Sequence, residues 1–469
     1  ASSLRSRGSL DMCSGPLFGK IIRYTLPIIL TSILQLLFNA ADLIVVGQYC
    51  GSISVAAVGA TGAISNLIIT LFIGLSVGAG VAVAVGLGAR DDDAVRDAVH
   101  TSIPTAFFCG VGITVIGAVG ARQFLIWMDT PDDVLDLAAV YMRIYFYGVT
   151  GSMLYNFGAA ILRAAGDTLR PLIFLTAAGV LNVGLNIFFV VVFDMDVAGV
   201  ALATSITQAL AAICILIALM RRTDACRLSL CDMRIKKEPL RRIVAIGLPA
   251  GVQGVMFSIS NVIIQSSINS FGSAAMSGNS AANNLDSFVC VSMNALHQSA
   301  LNFTGQNYGA RHYRRIGRIR WICLGCVTVL GLVLGSLMYL AGRPLLAIYI
   351  TDSPAAIEYG MLRLTFICLP FFLNGLHDVM TGVIRGMGHS AAPMLISVFG
   401  ICISRVIWIY TVFRIPEYHD LSCLYLSYPI SWILTFVTEY LMFLYYFRKI
   451  RLRHADAAAQ IAGRAEAQP

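Results

Sequence analysis

One pattern is written twice along this chain, and both copies are apolar enough to cross a membrane. Pro27 and Asn39 recur as Pro249 and Asn261, each 222 residues on (249 − 27 and 261 − 39). Arg163 and Pro171 recur as Arg385 and Pro393 at the same offset, and Gly88-Ala89-Arg90 recurs as Gly309-Ala310-Arg311, slipped by one residue. A duplicated membrane unit sets two half-bundles face to face, with a pathway and its site where the halves meet. That is the layout of a secondary transporter.

Composition agrees. Of 469 residues, 57% are hydrophobic and 12% charged, against about 25% charged in a soluble domain. Mean hydropathy is +0.77. Apolar runs of about 20 residues recur throughout, each long enough to span a bilayer. Twelve spans are predicted, near 17–47, 53–88, 95–126, 133–164, 168–193, 197–221, 241–271, 274–308, 316–341, 355–386, 391–414 and 422–448. The loops alternate in charge. One set carries Arg90, Arg96, Arg163, Arg170, the clusters 221–242 and 311–320, Arg385 and the run 448–453. The other carries Asp129, Asp132, Asp133, Asp194, Asp196, Asp352, Glu417 and Asp420. The positive-inside rule makes the basic set and both termini cytoplasmic, in a plasma (inner) membrane protein. The net charge of +8 is therefore topology and contact with anionic lipid, not the single basic patch that binds nucleic acid.

Each copy holds six spans, an even number, so both copies enter from the same side. The repeats are parallel, related by an axis along the membrane normal. The fold class predicted is an all-α polytopic membrane protein, with two six-helix lobes around a V-shaped central cavity. The divisions are a cytoplasmic N-terminal segment (1–16), an N-terminal lobe (17–225), a cytoplasmic linker (226–240), a C-terminal lobe (241–450) and a cytoplasmic tail (451–469) that is disordered or a frayed helix. The first apolar stretch reads as a full-length span, not a cleaved signal peptide. Most of the twelve cysteines lie inside spans, where a free thiol packs as a small hydrophobe. Cys323 and Cys326 form a mid-helix CxxC with no second pair, so packing is the reading there. The chain is expected to act as a monomer without cofactor.

The first span carries a polar stripe. Thr31, Gln35, Asn39 and Asp42 are spaced 4, 4 and 3, which puts them on one helix face. A carboxylate at that depth must face protein or water. The fifth span offers Asn182 and Asn186, four apart, and the sixth Thr204 and Thr207. One carboxylate with several neutral oxygens suits a proton on Asp42, or a hard monovalent cation such as Na+ held by Asp42, Asn182, Asn186 and Thr204. A structural acid near the outer helix end is the plain alternative for Asp42, and interhelical hydrogen bonding for the two asparagines. In the second copy the position of Asp42 is Ile264, and the stripe is Gln253, Asn261 and Gln265 with no acid. Candidates there are Asp286, His377, Asp378 and Arg405, with an Asp378–Arg405 ion pair expected because buried charges take partners. Glu439 is expected to serve packing or the surface. A substrate cavity is expected among Phe38, Met153, Tyr155, Met256, Phe257, Phe288, Met293 and Asp378, where aromatic and thioether groups adapt to varied cations.

Helices one and two read Pro27…Asn39-Ala-Ala-Asp42-Leu-Ile-Val-Val-Gly47, then Ala56-Ala-Val-Gly59. The fourth span ends Ile161-Leu-Arg163-Ala-Ala-Gly166-Asp-Thr-Leu-Arg-Pro171, echoed by Ile384-Arg385-Gly386-Met-Gly388…Pro393. From residue 17 to 450 the chain resembles the multidrug and toxic compound extrusion (MATE) family, and within it the DinF-like branch. The resemblance implies two six-helix lobes, a V-shaped cavity and cation-coupled efflux of organic cations. It implies a coupling role for the first-helix acid, here Asp42, and site positions at Asn182, Asn186 and Thr204. Many relatives carry a second acid where this chain has Asn186. The NorM-like branch has a helix 7 acid that would fall near Phe257.

The expected activity is secondary antiport: export of an amphipathic, cationic organic molecule against H+ or Na+, H+ being favoured by the single acid. Protonation of Asp42 would rearrange its bonds to Asn39, Asn182 and Asn186 and bend the first helix near Pro27. Two rivals remain. A lipid-linked precursor flippase shares the architecture but needs a basic cavity for pyrophosphate, and the N-terminal spans offer little beyond Arg143. Gly74-Leu-Ser76-Val-Gly78 fits the GxSxG of a serine hydrolase, but such an elbow needs a strand-to-helix turn. No Gly-Lys-Ser/Thr phosphate loop is present to support ATP-driven pumping.

Overall fold

The computed structural model describes residues 10–466, apart from 129, 351 and 352; for residues 52, 63, 64 and 451–466 it describes the backbone alone. Residues 1–9 of the N-terminal segment, Asp129 and Asp352 of the acidic loops, and residues 467–469 of the tail lie outside the described residues. The described residues form helices: α1 (Leu17–Tyr49), α2 (Ser52–Ala89), α3 (Asp92–Trp127), α4 (Asp132–Ala164), α5 (Leu169–Ile187), α6 (Asp196–Met220), α7 (Lys237–Asn269), α8 (Ser273–Gly309), α9 (Tyr313–Leu340), α10 (Gly342–Tyr349), α11 (Pro354–Arg363), α12 (Phe372–Gly386), α13 (Ala391–Ser397), α14 (Ser404–Tyr410) and α15 (Leu421–Glu466). Three π-helical turns interrupt the spans: Phe188–Val192 extends α5, Leu364–Cys368 follows α11, and Val398–Ile403 joins α13 to α14.

These elements make twelve spans. Among the described residues, nine helices are long and apolar enough to cross a membrane alone, and α11–α12, bent by 41°, makes a tenth. The other two are α4 and α8, equally long but more polar. Each sits inside its lobe, α4 against α2, α3 and α6, and α8 against α9, α11 and α12. Neighbouring helices there supply partners that lipid would not. The short α10 precedes the tenth span. The backbone of the tail continues α15 as helix to Glu466. The linker after α6 is tied beneath α3: Ser229 N–H donates to His100 Nε2 (3.0 Å), and Lys236 Nζ pairs with Asp97 (2.6 Å).

The sequence repeat is echoed in the backbone. Gly51 and Gly272 have φ of 92° and 91°, Arg90 and Arg311 both 57°, and Gly166 and Gly388 both 87°. Each pair ends or begins the same helix in the two lobes. At Gly166 the left-handed turn also brings the chain against Leu10, whose N–H donates to the Gly166 carbonyl (3.2 Å), so glycine is required there twice over.

The lobes meet where small residues let backbones touch. α2 packs along α7, with Gly74 and Gly78 against Gly247, Gly251 and the Ile243 carbonyl. Ser76, between those glycines, is buried and donates to the Ile73 carbonyl (2.7 Å), so GxSxG here is a helix crossing. Further along α2, where it meets α8, a Cβ at Gly88 would fall on the Gln306 carbonyl and one at Gly309 on the Val85 carbonyl. That contact is its own image under the repeat. Thr25 to Ser299 (2.7 Å), Arg163 to Gln298 (3.2 Å), Gln306 to the Ala164 carbonyl (2.7 Å) and Asn307 to the Met12 carbonyl (3.0 Å) join the lobes on this side. Among the described residues, every hydrogen bond between lobes lies in the half that carries the basic loops. The V therefore opens toward the acidic loops.

Gly88→Leu should cost about 1–3 kcal/mol through overpacking of the lobe contact. Thermal unfolding of the purified protein in detergent should show the loss, while Gly112→Leu, which meets nothing within 4 Å, should leave the transition within experimental scatter.

Candidate cation and substrate sites

The first helix belongs to both lobes. Leu17, Ile21, Tyr24 and Ile28 pack into the core of the C-terminal lobe, with Tyr24 edge-on to Phe303 (5.4 Å between centroids). Val45 and Val46, near its other end, pack on Val190, Val197 and Val200 of the N-terminal lobe. Pro27 lies at the end of the first attachment, one residue before Ile28, where its missing N–H weakens the helix ladder. Phe38 presses on α5 at Gly179, which has no Cβ to keep it away. The ring is thus a wedge between α1 and α5, and it sets the face of α1 that meets α5.

That face carries Asp42, and a hydrogen-bonded chain runs from it. Asn186 Nδ2 donates to Asp42 Oδ1 (2.5 Å) and to Asn182 Oδ1 (3.3 Å), and Asn182 Nδ2 donates to Thr204 Oγ1 (3.3 Å). Asn186 is fully buried, Asn182 nearly so, and Asp42 half-buried. Asn186 Oδ1 is buried and has no donor among the described residues. The π turn Phe188–Val192 begins two residues after Asn186; such turns often mark functional positions in helices. Three spans thus bring together Asp42, Asn182, Asn186 and Thr204. No group of three His, Cys, Asp or Glu side chains able to hold a metal ion occurs among the described residues.

The rest of the stripe goes elsewhere. Asn39 is exposed and makes no side-chain hydrogen bond among the described residues, so it is not part of the chain from Asp42. Gln35 faces a separate cavity of about 150 Å³ between the lobes, lined also by Thr31, Tyr155, Asn156, Arg163 and Gln298. Tyr155 donates to the Pro171 carbonyl (3.0 Å), bracing α4 against α5. Met153 and Met293 are fully buried in the cores of their lobes, and Met256 does not reach the large cavity. These corrections share one cause. Long side chains in a close-packed bundle fill gaps between helices before they line a void.

The large cavity, about 790 Å³, lies within the C-terminal lobe. Phe257 and Asp378 line it, and the wall mixes apolar groups with amides and charges, among them Gln253, Asn283, Asn294, Arg363, Arg385 and Arg405. The expected Asp378–Arg405 ion pair does not form. Arg405 stacks on Tyr428 (3.9 Å to the ring centroid) and donates to Ser431 (2.9 Å), while Asp378 accepts from Asn374 (3.3 Å). An aromatic face offers a guanidinium planar contact and quadrupole attraction at once, without desolvating a carboxylate. The buried ion pair is Arg363 to Asp286 (2.9 Å), completed by Asn279 (2.7 Å) and Asn283 (2.9 Å). Glu439 is not at the surface; it is fully buried and accepts from Thr381 (2.7 Å) and Ser397 (3.1 Å). Arg363 was not among the candidates read from sequence. Its signals were a lone guanidinium in an apolar run, and the stripe Asn279, Asn283, Asp286 and Cys290 on α8.

Removing one member of the Arg363–Asp286 pair should destabilise the lobe by about 3–5 kcal/mol, because the other is left buried and unpaired. The double replacement Arg363→Met with Asp286→Leu should recover much of that loss. Thermal unfolding of the two single variants and the double variant measures the difference.

Comparison with known proteins follows the same architecture. The MatE family profile matches residues 27–188 and 249–411, so both matched stretches open on the repeated proline. A probable multidrug resistance protein, YoeA of Bacillus subtilis, is 26% identical over 81% of this chain and 83% of its own length. The probable multidrug resistance protein NorM of Thermotoga maritima is 25% identical over 82% of this chain and 84% of its own. In three dimensions the fold superimposes on a crystal structure of MATE in the bent conformation (TM-score 0.83, 22% identity, 94% of this chain and 96% of that one). It also matches a multidrug resistance MATE transporter in an outward-facing conformation (TM-score 0.87, 22% identity, 95% and 99%). With one profile match in each lobe, together spanning more than half of the sequence, the chain belongs to the MatE family and is a membrane transporter, not an enzyme.

Proposed function

We propose that this transporter is a plasma-membrane antiporter, with both termini cytoplasmic, that exports organic molecules in exchange for a proton taken up at Asp42. The observation that carries the reading is the chain from Asp42 through Asn186 and Asn182 to Thr204. An ionised carboxylate accepts only, and the Asn186 amide presents an N–H to it. A protonated carboxyl must also donate. The acceptor within reach is the same amide, whose oxygen is buried and unpartnered. Protonation therefore favours an inverted Asn186 amide, and the inversion withdraws the N–H that Asn182 now receives. The proton is exchanged for a rearrangement of three spans rather than for a single bond.

Helix α1 carries that change to the lobe interface. Its second half moves with the N-terminal lobe and its first half with the C-terminal lobe, so a shift at Asp42 acts across Pro27 on the contacts of Tyr24 and Thr25. Ionised Asp42 supplies a counter-charge for a cationic, amphipathic substrate, and neutral Asp42 removes it. Proton and substrate then favour different states, which is the thermodynamic requirement of antiport. Sodium at Asp42, Asn182, Asn186 and Thr204 is the alternative coupling ion. Its oxygens would have to come from amides that now point nitrogen inward, and this favours the proton.

Proteoliposomes loaded with an organic cation and placed under a pH gradient, or under a sodium gradient, test the assignment. Export should follow the pH gradient, and Asp42→Asn should reduce gradient-driven export to the level of protein-free vesicles. Asn186→Leu should leave a slower, weakly coupled flux. Undiminished coupled export by Asp42→Asn would refute the role of Asp42.

A further inference from the structure

We infer that the cavity of the C-terminal lobe holds an oxyanion of the cargo, a carboxylate or phosphate group, between Arg385 and Arg405. Three guanidinium groups line this one cavity. Arg363 is fully matched by Asp286, Asn279 and Asn283. The other two are not. Among the described residues, no carboxylate oxygen lies within 4.0 Å of Arg385 or Arg405. Arg385 Nη2 donates to the Gln253 amide oxygen (2.6 Å), and Arg405 relies on Ser431 and the rings of Tyr428 and Trp432. Neutral partners do not cancel a buried charge. Arg385 Nε and Arg405 Nη2 are moreover buried donors with no acceptor, although the two side chains are only 6% and 5% exposed.

The acids nearby offset part of the charge on Arg385 from a distance, but none of them pairs with Arg385 or Arg405. Asp286 is engaged by Arg363. Asp378 faces the cavity but is bound by Asn374 and reaches neither guanidinium. Glu439 lies behind the wall, its Oε1 held by Thr381 and Ser397. His297 Nδ1 donates to the Asp378 carbonyl (2.6 Å), and His377 lies against Asn374 (3.2 Å). The backbone is shaped around the same arginines. One π turn follows Arg363 directly and another ends two residues before Arg405, and an extra residue in a turn redirects the side chains beside it. Guanidinium pairs bind planar or tetrahedral oxyanions through charge-assisted bonds. The volume suits a small organic molecule or a lipid headgroup. This inference rests on the reading that the chain exports organic cargo. It does not rest on coupling at Asp42.

The purified full-length protein in phosphatidylcholine nanodiscs should be titrated with naphthoate and with naphthylmethylammonium, a cation of similar size. Naphthoate should bind more tightly. Arg385→Gln and Arg405→Gln should each weaken it by more than about tenfold, and Arg385→Lys and Arg405→Lys should weaken it less. Thermal unfolding reports which variants are folded, and if a glutamine variant is not, the lysine pair carries the comparison. Adding phosphatidylglycerol to the discs separates the sources: competition with naphthoate assigns the site to a lipid headgroup, and its absence assigns the site to soluble cargo. Absence of naphthoate binding, preference for the cation, or unchanged naphthoate affinity in folded arginine variants would overturn the inference. The titration needs no gradient, so its failure leaves coupling at Asp42 standing, and failure of the vesicle assay leaves this site standing.

Discussion

A polar group inside a bilayer has no water to turn to and must find its partner in protein. Much of this structure follows from that constraint. It explains why α4 and α8, the two spans with the least apolar sequences, are enclosed by other helices. It explains why Asp42 is bound by an asparagine from another span, and why Arg363 sits in a cage of one aspartate and two asparagines. Each such contact ties two or more helices together at a defined rotation, which apolar packing alone does not do. The same constraint makes a change of protonation at one carboxyl costly to ignore, since the surrounding hydrogen bonds must be rebuilt.

The two lobes share a frame but have diverged in chemistry. Their turns match to within a degree or two in φ at three repeated positions, and their helices cross through paired glycines. The N-terminal lobe places one acid against neutral amides. The C-terminal lobe places three arginines, two aspartates and many amides around a void. A duplicated scaffold thus carries two chemically different polar sites, one in each lobe. Helix α1 is the physical link, anchored in both cores, with Pro27 near the end of the C-terminal lobe's anchor.

The architecture was legible in the sequence because it rests on long-range regularities. Offsets of 221 and 222 residues, runs of apolar length and alternating loop charge survive any local rearrangement. The cluster at Asp42 was legible because helical spacing alone puts Asn182 and Asn186 on one face. What was not legible depended on rotation and on choice among partners. Nothing in the one-dimensional pattern says that Arg405 turns to Tyr428 instead of Asp378. Met153, Met256 and Phe38 were misassigned to a cavity because an apolar residue in a span fits a core, a wedge or a lining equally well. Asn39 shares the stripe of Asp42 by spacing, yet α1 is rotated by the Phe38–Gly179 contact so that only Asp42 reaches α5.

The central claim is that a single carboxyl on α1 changes its proton during the cycle and rearranges the amides beside it. Infrared difference spectroscopy of the purified protein in lipid, with pH stepped across the working range, observes that carboxyl directly. A protonated-carboxyl band should appear as the pH falls, accompanied by a shift in asparagine amide bands, and both should be absent in Asp42→Asn. A spectrum in which no carboxyl band depends on Asp42, at any pH where transport is coupled, would contradict the account.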